Sequence, residues 1–548
     1  MSEGGDYKKR YTLKRDDDVG VTMRDGTRLS AKIYRPEAEG RFPVLLAVSP
    51  YQHQTDSLPH STLFLWREVG PYQWYVEAQG YVIVHVDVRG TGLSKGEYNF
   101  LDKTEQQDLF EIVEWCGKQP WSNGRVGGYG QSYYAWSQWW MGVVNPPSLK
   151  CIAPYDGAVD IYRDVMYHGG IYCDFLPWWY QMVRVNNLHR PPGKGEGKLL
   201  ARDIPREYAE HSTYDDFWKE RSPWERLREI KVPTLSIGHW GKMGLHLRGN
   251  ILGYEAVTAP KRLVVTGARD VFEAHDLFDK IDYHQKELLP FYDRHLKQSE
   301  VVEGPPVKLY VRGAEQFRDE SEWPLRRAET KSLYLTAKKS GSLTSLNDGS
   351  LAWDKPSGDA ATSADYPDPK WKLGNVMFGP AGPDPIARVM TFTTVPFERD
   401  VEVTGPVVLE LFFSSTATDA DIFVKVADQG AGEEGKQPRS VNLSKGWLRA
   451  SHRQKDEKRS TPLRPFYTHT NPQPLEPGQI VKLEIEILPF SNLFKKGHRL
   501  RLEISNGDSP ITDSIFTHQY SWFKVGRDTV HHDAQHASRL IIPVVSGA

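Results

Sequence analysis

Hydrophobic positions follow two different periods along the first 155 residues. Segments 43–48 and 81–86 are nearly continuous apolar runs, as in strands that are buried on both faces of a parallel sheet. Farther along, apolar residues recur at the spacing of an amphipathic helix, at Leu109, Ile112, Val113 and Cys116. A glycine-laden strand and an aromatic, apolar helix then follow over 124–141. This alternation of strands and helices predicts an α/β layered core.

The pattern changes twice farther along the chain. Between about 156 and 230, Tyr, Trp, Met and His crowd together without strand-like alternation, which predicts a helical insertion. Strand patterns resume at 232–238 and 262–267, and a helical period spans about 281–296. After about residue 300, short alternating segments recur at the spacing of an all-β domain. We therefore divide the chain into four parts: α/β core (1–155), helical cap (156–230), α/β core (231–300) and β domain (301–548).

Charge and cysteine content narrow the range of partners. The 548 residues include 69 Lys and Arg against 71 Asp and Glu, so no global field attracts nucleic acid or an anionic membrane. No stretch approaches 18 apolar residues, and the N-terminus lacks the hydrophobic segment of a secretory signal, so we expect a cytoplasmic protein. The spacing of Cys116, Cys151 and Cys173 fits neither a disulfide framework nor a zinc motif. We expect no metal, and the lack of a dinucleotide fingerprint or P-loop predicts no cofactor.

The sharpest chemical feature is Ser132, which the pattern places between a strand and a helix. Gly130 stands two residues before it, as a tight turn that exposes a serine hydroxyl requires. Such a turn also points the next backbone N–H, that of Tyr133, at a developing oxyanion. The generic G-x-S-x-G pattern is incomplete, because Tyr134 replaces the final glycine. A serine in an ordinary strand-to-helix turn is therefore the alternative interpretation.

Several separated segments resemble the X-Pro dipeptidyl-peptidase and cocaine esterase (CocE/NonD) family of serine hydrolases. They span most of the chain and include Asp87–Gly96, Glu114–Val126, Gly130–Tyr133, Phe291–Leu296, Glu402–Pro406, Gly446–Arg453 and Gly497–Leu502. The resemblance implies an α/β-hydrolase core with an inserted helical cap, followed by a C-terminal β jelly roll. It places Ser132 at the family's nucleophile and Tyr133 at its backbone oxyanion donor.

The resemblance also assigns the second oxyanion donor to the hydroxyl of Tyr51. A tyrosine hydroxyl suits this role because it is neutral at pH 7 and can lie in a dry pocket. Taken alone, Tyr51 would be interpreted as a half-buried tyrosine at the end of a strand.

The acid and base of the expected Ser-His-Asp triad are out of place. The family's acid position falls on Gly241 or Lys242, and its histidine position falls on Val271. His275 follows four residues later and His246 is a second candidate base, so the sequence leaves the choice of base open. A serine needs such a base within hydrogen-bond reach in order to attack a carbonyl.

The base in turn needs a partner that fixes its tautomer. Asp270 and Glu273 are the candidate partners of His275, and a complete triad in the family's arrangement is not predicted.

Aromatic residues are abundant, with 17 Trp and 26 Tyr, and this favours a pocket for a bulky, apolar ligand. The predicted substrate-binding residues are Tyr134, Trp136, His168, Trp240 and His246. For His168, packing against Trp178 and Trp179 of the cap is the alternative.

Two functions are compatible with these residues. The first is a serine hydrolase that cleaves an ester or amide of a bulky, largely apolar small molecule or peptide-like substrate. The second is a repurposed hydrolase fold with a broken triad, which catalyses a cyclisation, elimination or condensation in secondary-metabolite biosynthesis. In both cases the partner is a small-molecule substrate rather than nucleic acid or a membrane, and a homodimer stays open.

Overall fold

The computed structural model describes residues 7–53, 68–188, 199–343, 345–368, 389–432, 438–508, 516–519 and 524–546. The first twelve strands are β1 (Leu13–Thr22), β2 (Arg28–Pro36), β3 (Phe42–Ser49), β4 (Val82–Asp87), β5 (Ser122–Gly128), β6 (Leu149–Cys151), β7 (Tyr167–His168), β8 (Ile171–Tyr172), β9 (Thr234–His239), β10 (Lys261–Thr266), β11 (Val307–Val311) and β12 (Gln316–Glu320).

The α-helices are α1 (Tyr72–Glu77), α2 (Lys103–Gly117), α3 (Tyr133–Val144), α4 (Phe175–Asn186), α5 (Ile204–Glu210), α6 (Asp216–Arg221), α7 (Leu247–Ala256), α8 (Val271–Phe278), α9 (Ile281–Tyr283) and α10 (Leu289–Leu296). Ile161–Met166 and His284–Leu288 are π-helical, and Pro223–Glu229 and Ala450–His452 are 3-10 helices. The predicted helix over 281–296 thus forms as α9, the π segment and α10 in succession.

One mixed sheet forms the core of the α/β domain. Strands in the order β1-β2-β4-β3-β5-β6 are joined to strands in the order β9-β10-β11-β12 by parallel bridges at Ile152–Thr234 and Tyr155–Ile237. Every residue of β4 and all but the first residue of β3 are buried, which explains their continuous apolar sequence. The predicted α/β core is therefore confirmed.

The boundary between the core and the β domain lies farther along than predicted. Strand β11 pairs in parallel with β10 and antiparallel with β12, so both belong to the core sheet although they follow residue 300. The sequence could not show this, because β11 has the same buried–exposed alternation as a strand of a β sandwich.

The described part of the C-terminal domain contains eleven strands: β13 (Ala328–Thr336), β14 (Gly349–Ala352), β15 (Ala361–Tyr366), β16 (Met390–Thr393), β17 (Val401–Ser415), β18 (Asp421–Gln429), β19 (Ser440–Arg449), β20 (Val481–Phe494), β21 (Arg499–Ser505), β22 (Gly526–His531) and β23 (Arg539–Val545). Nine of them follow the order β17-β20-β19-β18-β21-β16-β14-β13-β23, and β23 pairs back onto β17. The predicted β domain is confirmed, but the sheet closes into a nine-strand barrel where a jelly roll was expected. Long-range pairing of this kind leaves no trace in local alternation.

The loop after β4 has the structural role that an Arg–carboxylate pair favours. Arg89 donates two hydrogen bonds to Asp108 of α2, at 2.8 and 2.7 Å. This bidentate contact ties the edge of the core sheet to the helix that covers it. Within the described ranges, no helix combines the length and the apolar character that crossing a bilayer requires.

Candidate active site

Ser132 occupies a sharp turn between β5 and α3. Its backbone has φ 64° and ψ −117°, a strained combination for a residue other than glycine. Gly130, at φ 104°, relieves the crowding, because a Cβ at that position would lie 2.7 Å from the Cβ of Tyr134. The glycine therefore makes room for the tyrosine that replaces the last glycine of the generic pattern.

The side chain of Ser132 lies beside two polar groups, the carboxyl of Glu68 and the hydroxyl of Tyr51. Burial raises the pKa of both groups well above their ordinary values, and polar contact with Ser132 partly opposes this rise. The hydroxyl of Tyr51 accepts a hydrogen bond from Trp179 Nε1 at 3.0 Å. A neutral hydroxyl that already accepts one N–H can donate its own hydrogen to an oxygen at Ser132.

Glu68 also contacts the histidine that the sequence singled out. Its Oε1 lies 3.2 Å from Nε2 of His275, and both side chains are buried. The other ring nitrogen of His275, Nδ1, lies 2.5 Å from the carbonyl oxygen of Val271 and must therefore carry a hydrogen. Nε2 is thereby left as the acceptor of the neutral ring.

Burial sets the charge of this pair. It raises the pKa of Glu68 well above its ordinary value, and it lowers the pKa of His275 to about 3, assisted by the positive charge of Lys242. Because the neutral ring of His275 offers its lone pair at Nε2, the 3.2 Å contact places the proton on Glu68. Glu68 Oε2 has no hydrogen-bond partner among the described residues.

Lys242, one of the two residues at which the resemblance places the acid of the triad, is engaged in a buried ion pair. Lys242 Nζ lies 3.2 Å from Asp156 Oδ2, which also accepts a 2.7 Å hydrogen bond from Gln131. Nε2 of His239 lies 3.6 Å from the other carboxylate oxygen. Burial by itself raises the pKa of Asp156, but the positive charges around it outweigh burial and bring the pKa to about 2. Asp156 is thus ionised and engaged in an ion pair.

His246 is completely buried in the same region. Its Nδ1 accepts a 3.3 Å hydrogen bond from Trp136 Nε1, so the hydrogen of the neutral ring is on Nε2. That N–H finds no hydrogen-bond acceptor in the described part of the chain. His246 is therefore placed as a donor toward this site rather than as a base.

Aromatic rings surround the nucleophile. Tyr51 packs edge-on against Tyr134 with ring centres 5.7 Å apart, and the ring of Tyr133 stacks on Trp179 at 5.8 Å. Trp136 adjoins Tyr133 at 5.4 Å. As the first residue of α3, Tyr133 also has a backbone N–H with no acceptor inside the helix.

Two of the predicted substrate-binding residues lie elsewhere. Trp240 belongs to a separate buried cluster, where its Nε1 donates to the carbonyl of Tyr310 at 2.7 Å and its ring packs near Trp323. His168 stacks on Trp447 of the β domain rather than on Trp178 or Trp179. Aromatic content alone does not say which cluster a side chain joins, and a substrate contact of either residue stays a prediction.

The expected partners of His275 are also different. Asp270 caps α8 by accepting the N–H groups of Phe272 and Glu273, and Glu273 pairs with Arg269. The carbonyl of Val271 orients the histidine instead.

Sequence analysis missed Glu68 and Asp156. Glu68 belongs to no motif, since it lies in a segment without helical or strand periodicity between β3 and α1. Asp156 directly follows Tyr155, whose carbonyl accepts the N–H of Ser132, and could have been noticed as an acid at the end of a core strand.

This fold and this site define the chain as a serine hydrolase with an α/β-hydrolase core. The family described as "X-Pro dipeptidyl-peptidase (S15 family)" matches residues 25–269, and "X-Pro dipeptidyl-peptidase C-terminal non-catalytic domain" matches residues 299–541. The chain belongs to this X-Pro dipeptidyl-peptidase and cocaine esterase-like family, and it is a serine hydrolase acting on esters or peptides.

Individual relatives match over nearly the whole length. The cocaine esterase of Rhodococcus sp. (strain MB1 Bresler) is 28% identical, with 96% of this chain and 98% of the esterase covered. A CocE/NonD family hydrolase from Staphylococcus aureus is 29% identical with a TM-score of 0.82, over 97% and 94% of the two chains. An aminopeptidase from a marine sediment archaeon, Thaumarchaeota archaeon, is 19% identical with a TM-score of 0.73 over 100% and 98%, a likeness of fold alone.

Proposed function

We propose that Ser132 attacks the carbonyl of an ester or amide in a bulky, largely apolar small molecule or peptide-like substrate. The hydroxyl of Tyr51 and the backbone N–H of Tyr133 would stabilise the oxyanion that forms. The observation that carries the proposal is that one carboxyl group, that of Glu68, adjoins the nucleophile and also hydrogen-bonds a histidine.

The proton of the serine travels through this carboxyl group. As Ser132 Oγ bonds to the substrate carbonyl carbon, its proton passes to one oxygen of Glu68. The proton on the other carboxyl oxygen passes at the same time to Nε2 of His275. The result is a neutral Glu68 and a cationic His275, and the reverse transfer protonates the leaving group. A carboxyl group whose pKa is raised by burial suits such a two-way transfer.

The preference for an apolar substrate rests on the rings around the nucleophile. Four of these rings are buried, those of Tyr51, Tyr134, Trp136 and Trp179. Tyr51 packs against Tyr134 and Trp136 packs against Trp179, which gives a site with few polar groups. An apolar substituent that is transferred from water to such a site is stabilised by about 25 cal/mol per Å² buried.

A second candidate function is a non-hydrolytic reaction, a cyclisation, elimination or condensation of a hydrophobic metabolite. It is favoured by the Lys242–Asp156 pair in place of the family's acid and by the buried, unsatisfied N–H of His246. These groups could polarise a bound metabolite without the participation of Ser132.

Labelling with a fluorophosphonate probe separates the two candidates. Wild type should be labelled, and Ser132→Ala should lose all labelling. Ser137→Ala is the control and should keep the label, because Ser137 is a buried serine of α3 whose hydroxyl donates to the carbonyl of Val48. Glu68→Gln and His275→Ala should each slow labelling, whereas His246→Ala should not. If wild type is not labelled, or if Ser132→Ala turns over a native substrate at the full rate, the hydrolase function is excluded and the second candidate is favoured.

A further inference from the structure

Two histidines and a cysteine meet where the cap adjoins the β domain. His168 is the last residue of β7 in the cap, Cys173 directly follows β8, and His518 lies in the short segment 516–519 of the β domain. Cys173 and His518 form an antiparallel backbone bridge, and all three residues are buried. One ligand atom of each, nitrogen or sulfur, lies within 4.8 Å of the other two.

The neighbours of the two histidines fix where their hydrogens are. His518 Nδ1 lies 2.7 Å from Asp508 Oδ2, and His168 Nε2 lies 3.0 Å from the backbone carbonyl of Asp164. Since both partners are acceptors, we assign the hydrogens to these two nitrogens, and His168 also contacts the backbone of Gly244. With this assignment the remaining nitrogens, His168 Nδ1 and His518 Nε2, face each other with lone pairs at 2.7 Å. Two lone pairs at this distance repel, so a positive species has to lie at this point.

We propose that His168 Nδ1, His518 Nε2 and Cys173 Sγ bind one zinc ion that fastens the cap to the β domain. Imidazole nitrogen and thiolate sulfur are the ligands that zinc prefers, at about 2.0 and 2.3 Å. Tetrahedral binding requires the two nitrogens to separate to about 3.3 Å, which small ring rotations supply. Asp508 and the carbonyl of Asp164 would serve as the outer partners that orient metal-bound histidines.

The charges around the cluster are suited to a dication. Burial raises the pKa of the Cys173 thiol, so zinc would release its proton to solvent as the thiolate forms. That thiolate and the Asp508 carboxylate together offset the two charges of zinc. Two cations act on the cluster: Arg248, which is already paired with Asp164 and Glu486, and Lys445, which acts on Cys173. The ring of Trp447, stacked on His168 at 4.8 Å, shields the cluster on one side.

A shared proton is the competing explanation. An imidazolium at His518, paired with Asp508, would also account for a 2.7 Å contact between ring nitrogens. A proton makes no use of sulfur, however, whereas zinc does. Cys173 therefore distinguishes the two explanations. The spacing of the cysteines predicted no metal and could not reveal this cluster, because His518 is distant from Cys173 in the chain.

The test uses the purified full chain after dialysis against a chelator. We expect wild type to bind one equivalent of Zn²⁺, and Co²⁺ in its place to give visible absorption that includes a thiolate charge-transfer band. Cys173→Ser should lose that band and bind zinc at least tenfold more weakly. Cys116→Ser, which removes a buried cysteine of the α/β core, should leave both unchanged.

Failure of wild type to bind Zn²⁺, or equal binding by Cys173→Ser, would overturn the proposal in favour of the shared proton. A His518→Ala variant would also remove a zinc ligand. If that variant fails to fold, Cys173→Ser still tests the proposal. Because the cluster includes none of the groups around Ser132, fluorophosphonate labelling of the same preparations reports separately on the hydrolase.

Discussion

The ammonium group of Lys242 lies 3.2 Å from the carboxylate of Asp156, and the two side chains are at most 1% exposed. The resemblance places the acid of the triad at Gly241 or Lys242. Lys242 carries a positive charge, and the negative charge comes from Asp156, which follows the bridged residue Tyr155. Asp156 is therefore held by Lys242 and Gln131, and the partner of the candidate base His275 is Glu68 instead.

Replacement of Lys242 by methionine should destabilise the protein severely. The substitution leaves the ionised Asp156 buried without a partner, at a cost of about 3–5 kcal/mol in the free energy of unfolding. The double variant Lys242→Met/Asp156→Leu should regain most of this loss, since it removes both charges. Chemical denaturation of Lys242→Met, Asp156→Leu and the double variant measures the coupling, and strictly additive losses would contradict it.

Replacement of Glu68 by glutamine should remove proton transfer but keep the fold. We expect kcat to fall by about 10²–10⁴-fold, the range of general acid–base catalysis, with a nearly unchanged melting temperature. Glu287→Gln is the matched control, because it removes a buried glutamate that pairs with Lys308. Steady-state kinetics on a common ester substrate gives the answer, and a loss below about threefold would exclude Glu68 from the proton path.

Replacement of Tyr51 by phenylalanine should remove one oxyanion donor. Loss of one such donor costs about 10²–10³-fold in kcat, while KM changes little because the aromatic ring remains. Tyr129→Phe provides the comparison, since the buried hydroxyl of Tyr129 has no hydrogen-bond partner in the described part of the chain. Equal kinetics for the two variants would mean that the Tyr51 hydroxyl does not stabilise the transition state.

Acid should destabilise the fold through its buried histidines. His284 is bonded through Nε2 to the carbonyl of Phe278 at 2.7 Å, and burial lowers its pKa to about 3. The unfolded chain, with a histidine pKa of about 6.5, binds more protons than the folded one between these values. The stability contributed by the neutral ring is thus complete above about pH 6.5 and declines as the pH falls toward 3.

Replacement of His284 by phenylalanine tests this account. Between about pH 4 and 6, the free energy of unfolding should depend less steeply on pH in the variant than in wild type. The slope should decrease by about 1.4 kcal/mol per pH unit, which corresponds to about one proton. Denaturation at several pH values measures both slopes, and identical slopes for His284→Phe and wild type would refute the assignment.

The sequence by itself determined the local elements of this protein. Apolar runs predicted β3 and β4, and the glycines before Ser132 predicted the turn that holds it, because these features depend on a few adjacent residues. His275 was found by its chemistry, as a histidine near an expected position. The partners of His275 were not predicted. The carbonyl of Val271 reaches it because both residues lie one turn apart in α8, and the carboxyl of Glu68 reaches it only in the folded chain.

Only the tertiary structure decided which groups meet. Glu68 reaches Ser132 from a segment without periodicity, Asp156 reaches Lys242 across adjacent strands, and β23 closes the barrel on β17. The tertiary structure also placed Trp240 in a separate buried cluster and His168 against Trp447. Patterning fixes which side of an element is buried, but contacts between distant segments depend on pairing and packing, which short-range periodicity does not encode.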